Sequence, residues 1–202
     1  MKRSASLIAA AAAVMLGAAL VHGSASVGQA APDFKVKDTN GKDQSLSAYK
    51  GKFVVLEWTN PGCPFVQKHY DTANMPATQK AAEAKGAVWL TVSSTARDAG
   101  DYKAPSELAA WLKEKGATPT AVLMDDDGKI GQAYGARTTP HMFVIDPQGK
   151  LVYAGAIDSK ASTRKEDVKV ATNYVSVALN EAMAGKPVSK ANSEPYGCSI
   201  KY

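Results

Sequence analysis

Of all the residues in this sequence, the two cysteines, Cys63 and Cys198, have the types best suited to chemistry, and Cys63 has the more informative setting. The segment Trp58-Thr-Asn-Pro-Gly-Cys-Pro-Phe-Val66 follows Phe53–Trp58, a continuous apolar run with the length of a strand buried on both faces. A helical stretch comes next. Pro64 suits its first position, where a missing N–H costs no hydrogen bond. Cys63 then falls at or beside the N-cap. A thiolate there would receive unpaired backbone N–H groups and the positive end of the helix dipole, both of which favour the nucleophilic form. The plainer alternatives are a buried thiol or a structural bridge from Cys63 to Cys198.

The elements that must position Cys63 are legible as a pattern. Residues 31–52 alternate polar and apolar positions about Asn40-Gly41 and predict a short hairpin. After the strand at 53–58, a helical stretch runs from Pro64 towards Gly86, with an interruption expected near Asn74-Met75-Pro76. Strands are expected at 87–93 and 120–124, separated by a helix whose Leu108, Trp111 and Leu112 share one face and which Gly116 closes. Two more strands, 141–146 and 151–157, flank the tight turn Pro147-Gln-Gly-Lys150 and should pair antiparallel. Thr163-x-x-Glu166 has capping-box spacing and predicts the start of a last helix, with an apolar stripe at Ala171, Val175, Ala178, Leu179 and Ala182. Strands alternating with helices, then a hairpin and a helix, describe an α/β sandwich with a mixed sheet.

At 202 residues the chain has room for one ordinary domain with its own core. A hydrophobic content of 45% and a charged content of 21% exclude a disordered, collagenous or multi-span membrane protein. The net charge is +5 with no basic run, so no nucleic-acid partner is indicated. Two of the positive charges, Lys2 and Arg3, precede the alanine-rich apolar stretch Leu7–Val21. Small residues follow at His22-Gly-Ser-Ala-Ser26 and at Gly28-Gln29-Ala30, so residues 1–30 have the tripartite form of a cleaved secretory leader. The apolar run, about 15 residues, is short for a membrane span. The expected organisation is therefore a signal peptide at 1–30, a domain at 31–185, and a polar, mobile tail at 186–202 carrying Cys198. The location is periplasmic or secreted, with no stable membrane association after cleavage.

APDF at 31–34, Gly51-Lys-Phe-Val-Val-Leu56, GARTTPHMFVID at 135–146 and the final PYGCSIKY resemble thioredoxin-fold redoxins. The resemblance is closest to the exported, peroxiredoxin-like branch of the alkyl hydroperoxide reductase/thiol-specific antioxidant group, over about residues 31–185. It implies a thioredoxin-like sandwich, with a mixed central sheet flanked by helices and an N-terminal hairpin. It implies that Cys63 is the nucleophile, and that Thr139-Pro140 is a Thr–cis-Pro loop offering backbone groups to substrate. Two departures are visible. Val66 stands where a Cys-x-x-Cys motif has its second thiol. Typical members of the branch carry Pro-x-x-x-Thr-x-x-Cys and a distant arginine, whereas here Thr59 lies four residues before Cys63, Pro61 two before it, and Arg137 is the nearest arginine.

The expected activity is thiol-dependent reduction of peroxides through Cys63, with Cys198 as the resolving thiol. Pro64, Thr59, Arg137, Thr139 and Pro140 form the substrate side. The partners are a peroxide or protein disulfide and an external thiol reductant; no cofactor or metal is expected. The alternatives are monothiol disulfide exchange with proteins, or a non-catalytic module. In the latter case a Cys63–Cys198 clamp, closing a loop of about 135 residues, would stabilise by about 4–5 kcal/mol in the chain-entropy model, or a copper site would use His69 or His141. Otherwise His69 is expected on a helix surface and His141 beside the proline loop. Asp125-Asp-Asp-Gly128 reads as a turn and helix cap, and Trp58, Trp89 and Trp111 as core.

Overall fold

The computed structural model describes residues 24–202. Most of the leader expected at 1–30 lies outside them. A central sheet of five strands takes the order β5-β4-β3-β7-β8. Its parallel half is β3 (Val54–Trp58), β4 (Val88–Ser93) and β5 (Ala121–Met124). β7 (His141–Ile145) runs antiparallel to β3, and β8 (Leu151–Gly155) antiparallel to β7. The mixed sheet and the antiparallel hairpin agree with the expectation from sequence.

Alternation along β3 divides the core between the two faces of the sheet. Val55 packs with the helices α1 (Pro64–Asp71), α2 (Asn74–Glu83), α3 (Pro105–Glu114) and α5 (Tyr174–Met183). Val54, Leu56 and Trp58 face the other way, towards Phe34, Leu46, Ile130 and Tyr134. That second layer is built from the hairpin β1 (Lys35–Lys37) and β2 (Asp43–Ser45), the 3₁₀ turn Leu46–Tyr49, and α4 (Lys129–Tyr134). β3 is buried at all five positions, so truncating a residue such as Leu56 to alanine would cost about 2–5 kcal/mol. Such burial fixes the strand that ends beside Cys63.

Several expectations need correction. The interruption expected near Asn74-Met75-Pro76 falls just before them, at Thr72–Ala73, where Ala73 adopts φ 56°. Those three residues open α2, because proline is tolerated in a first helical turn, where N–H groups have no intrahelical partner. Thr163 and Glu166 do not cap the last helix. Lys165–Lys169 is a 3₁₀ turn, and α5 starts after Asn173, whose side chain accepts from Ser176 N at 2.9 Å. Asn173 wins because Tyr174 N also bonds Ile157 O at 2.9 Å, which pins the helix start to the sheet. His69 is fully buried and not on a helix surface. Residues 25–30 are part of the folded body: Ala25 N bonds Ala133 O at 3.0 Å and Gly28 N bonds Leu151 O at 2.8 Å. Nor does the chain after 185 hang free. Its last residues form β9 (Cys198–Ser199), paired antiparallel with β6 (Thr138–Thr139).

Asp125 accepts from Ile130 N at 3.0 Å and from Gly131 N at 2.9 Å, so the acidic run is a turn that caps α4. Trp58 and Trp89 are fully buried, and Trp111 packs on the helical side of the core. Among the described residues no helix is long and apolar enough to cross a membrane, and no group of three or more His, Cys, Asp or Glu is gathered as metal ligands would be.

His141, at the start of β7, is 5% exposed and accepts from Arg137 N through Nδ1 at 3.3 Å. Burial, and then the charge of Arg137, push its pKa down to about 3, against about 6.5 for an unfolded histidine. A depressed folded pKa contributes stability above the unfolded value, and that stability is lost as the pH falls from about 6.5 towards 3. His141→Asn keeps an acceptor for Arg137 N but cannot take up the proton. Urea unfolding at pH 7 and pH 5 should therefore show wild type losing up to about 2 kcal/mol more than this variant over that interval. Equal losses would mean that His141 titrates normally in the fold.

Candidate active site

Cys63 is the N-cap of α1, with Pro64 in the first turn, as the sequence predicts. The turn before it is made by Asn60, whose carbonyl accepts from Cys63 N at 3.0 Å and whose Oδ1 accepts from Gly62 N at 2.7 Å. Asn60 Nδ2 is held by Thr95 Oγ1 and Asp101 Oδ2, both at 3.1 Å. Gln67, one turn into α1, donates from its side chain to Pro61 O at 2.9 Å. The loop that carries Cys63 is thus fixed at both ends by hydrogen bonds that belong to no helix or strand ladder.

The Cys63 side chain is 2% exposed, and its thiol donates to the carbonyl of Thr139 at 3.0 Å. The Thr139-Pro140 peptide is cis. The thiol–carbonyl hydrogen bond joins residues 76 positions apart in the chain. The hydroxyls of Thr59 and Thr139 are both buried, and neither has a hydrogen-bond partner among the described residues. Arg137 lies close in sequence, but its guanidinium is surface-exposed and bonds Glu194 at 2.7 Å, while its carbonyl accepts from Ile200 N at 3.0 Å. What Arg137 holds is the tail.

The tail carries the second thiol to the first. Cys198 pairs with Thr139 and Ser199 with Thr138. This close approach depends on Gly197, at φ 136°: a Cβ there would sit 2.0 Å from Thr139 O. Past Cys198, Ala96 N bonds Lys201 O at 2.7 Å, Lys201 pairs with Asp101 at 2.9 Å, and Tyr202 donates to Ala136 O at 2.6 Å. Both cysteines are free thiols, Cys63 buried and Cys198 half-buried. Burial, then the hydrogen bond to Cys63 and its charge, push the Cys198 thiol up to about 12. The pair therefore cannot readily ionise twice, and Cys198 stays protonated beside the first sulfur. One sulfur can act as nucleophile while its neighbour waits as a thiol.

Sequence reading misses a buried carboxylate on the same strand. Glu57 is fully buried and accepts from Tyr70 Oη at 2.6 Å, Gln79 Nε2 at 3.0 Å, Trp89 Nε1 at 2.8 Å and Thr91 Oγ1 at 3.2 Å. Burial raises its pKa, and these four donors oppose the rise. Tyr70 belongs to α1, so the carboxylate ties the helix that Cys63 begins to the strand that precedes it. A single charged residue within VVLEW was the available signal, since a central strand carries a glutamate only where donors meet it.

Comparison with known proteins gives the family and agrees with the fold. Residues 27–154 match the AhpC/TSA family. Thiol-disulfide oxidoreductase ResA of Bacillus subtilis (strain 168) is 32% identical over 129 residues, spanning 64% of this chain and 66% of that protein. Peroxiredoxin Bcp of the same organism is 27% identical over 150 residues, spanning 62% of this chain and 82% of that protein. The solved thioredoxin domain of a thiol-disulfide oxidoreductase from Bacteroides vulgatus superposes with a TM-score of 0.53 at 24% identity, covering 73% of this chain and 98% of that one, a likeness of fold.

Gly197→Ala tests whether the tail strand must lie this close. The methyl group cannot fit against Thr139 O, so β9 should detach while the core stays folded. Alkylation of Cys198 in the reduced protein should then accelerate by about tenfold or more, as expected for local release of a docked segment, with unchanged far-ultraviolet circular dichroism. Unaltered alkylation would show that the strand pairing does not shield Cys198.

Proposed function

Because this chain belongs to the AhpC/TSA family and is a thioredoxin-fold thiol oxidoreductase, we propose that it reduces peroxides through Cys63 and resolves the product with Cys198. The observation that carries this reading is the placement of Cys198 opposite Thr139, the residue whose carbonyl holds the Cys63 thiol. In the first step the Cys63 thiolate attacks the near oxygen of a hydroperoxide. The O–O bond breaks, the sulfur becomes a sulfenic acid, and the distal oxygen leaves as an alcohol or water once protonated. In the second, the Cys198 sulfur attacks the Cys63 sulfenic acid, an S–S bond forms and water leaves. An external dithiol then reduces the disulfide and is itself oxidised.

A small oxidant is favoured because the strand edge beside the nucleophile is already filled. Extended peptides gain affinity by adding to a free edge, and β9 occupies the edge of Thr138–Thr139. Holding both sulfurs in one fold also makes the second step intramolecular, with the rate advantage that orientation brings. Thr139, Pro140 and Pro64 form the substrate side of Cys63 in this reading. The buried hydroxyls of Thr59 and Thr139 are unpaired donors for a polar substrate, and Arg137 acts by holding the tail. The leader read from sequence supports a location outside the cytoplasm, where the reductant would also have to be found.

A second reading has its own observation in favour. An edge that accepts β9 can accept another strand, so release of the tail would open the site to protein disulfides. Cys63 would then perform exchange as a monothiol, which suits the similarity to ResA.

Intact-mass analysis and peptide mapping, seconds after less than one equivalent of hydrogen peroxide is added to the reduced protein, separate the two. Wild type should yield a Cys63–Cys198 disulfide, Cys198→Ser should stop at a Cys63 sulfenic acid, and Cys63→Ser should not react. Thiols that survive peroxide for minutes yet reduce a disulfide-bonded protein would replace peroxide reduction with exchange.

A further inference from the structure

Two residues before Cys198, Tyr196 reaches into a buried group of ionisable side chains that the proposed reaction does not use. Its ring packs against Phe65 of α1, with centroids 5.8 Å apart. Its hydroxyl donates to Asp158 Oδ1 at 2.5 Å, meets His69 Nε2 at 3.1 Å, and lies 3.5 Å from Lys68 Nζ. Lys68, His69 and Asp158 are 1%, 0% and 2% exposed, a rare degree of burial for such groups. Lys68 Nζ also donates to Lys160 O at 3.1 Å, and Asp158 Oδ1 accepts from Lys160 N at 2.9 Å.

The hydrogen bonds have a direction. Asn74 Nδ2 meets His69 Nδ1 at 2.8 Å; an amide N–H donated there leaves the neutral imidazole with its own proton on Nε2. His69 then donates to the Tyr196 oxygen, and the Tyr196 O–H donates to the Asp158 carboxylate. Each polar group of the tyrosine is used, in a site where an unmade bond costs far more than at the surface. Removing the tail would take from His69 Nε2 its acceptor and from Asp158 Oδ1 one of its two donors, beside the buried Lys68. The network is therefore a strong clamp for whichever segment carries the phenol.

Lys68 and His69 sit on the helix that Cys63 caps, and Tyr196 sits on the segment that delivers Cys198. One network thus joins the supports of both sulfurs. On the other side of Cys198 the half-exposed Lys201–Asp101 pair is an ordinary surface interaction by comparison. We propose that Tyr196 is a positioning residue: held by Lys68, His69 and Asp158, its hydroxyl fixes the tail so that the Cys198 thiol faces Cys63, and so sets how readily their disulfide closes. The proposal rests on the reading of Cys63 and Cys198 as a redox pair, and not on peroxide as its oxidant.

The test is equilibration of the full chain with mixtures of reduced and oxidised dithiothreitol, in which two protein thiols become a disulfide as the cyclic reagent takes up two electrons and two protons. Tyr196→Phe keeps the ring on Phe65 and loses only the hydroxyl. It should lower the equilibrium constant for closing Cys63–Cys198 by about tenfold, the scale of one hydrogen bond to a charged group, and should speed alkylation of Cys198 in the reduced protein. Asp158→Asn should shift both readouts in the same direction. An equilibrium constant and alkylation rate equal to wild type in Tyr196→Phe would overturn the positioning role. Failure of wild type to form the disulfide in any mixture would overturn the redox pair beneath it. Disulfide closure without any reaction with peroxide would remove only the peroxidase reading and leave the proposal supported.

Discussion

The carbonyl oxygen of Thr139 accepts the Cys63 thiol at 3.0 Å, and the same residue is paired with Cys198. Much of the molecule serves that meeting. β3 and α1 deliver Cys63 from one direction, and β7 sets the position of the residues just before it, 138–140. The tail arrives last, along a path open only because Gly197 has no side chain. Two sulfurs far apart in the chain become neighbours through one backbone amide plane.

Buried polarity holds those parts in register. Glu57 joins β3 to α1, α2 and β4 through Tyr70, Gln79, Trp89 and Thr91, and Tyr196 joins the tail to α1 through Lys68 and His69 and to Asp158. Apolar packing is tolerant of small displacements, whereas a directional bond in a low-dielectric interior is not. Two thiols held beside one carbonyl gain from the second kind of restraint. The polar networks lie on the helical side of the sheet, and the opposite face is sealed by the hairpin and α4 with mainly apolar contacts.

Local patterns read correctly where the physics was local. The apolar runs of β3, β4, β5 and β7 announced buried strands, and Pro64 after Cys63 announced a helix start with a thiol at its cap. The misreadings occurred where a distant contact outweighed a local preference. Thr163 and Glu166 had the spacing of a capping box, but Asn173 was tied to the sheet through its neighbour Tyr174 and took the helix start. His69 fell on what a helical pattern takes as a surface, but Tyr196 and Asp158 cover it. The short α4, β6 and β9 carried too few residues for any periodicity to show, and β9 exists only because β6 offers it an edge.

The sequence by itself determined an α/β fold with a mixed sheet, a reactive-type cysteine at the first turn of a helix, and a second cysteine in a distinctive final segment. These follow from periodicity, from proline's missing N–H and from counting thiols, all properties of neighbouring residues. Only the tertiary structure decided that the final segment is a docked strand and not a mobile tail, that Arg137 bonds the tail, and that Glu57 and Tyr196 each enter a buried hydrogen-bond network. Each of those depends on backbone edges and buried donors contributed by residues tens of positions away. Their free energies appear only when the chain has closed around them.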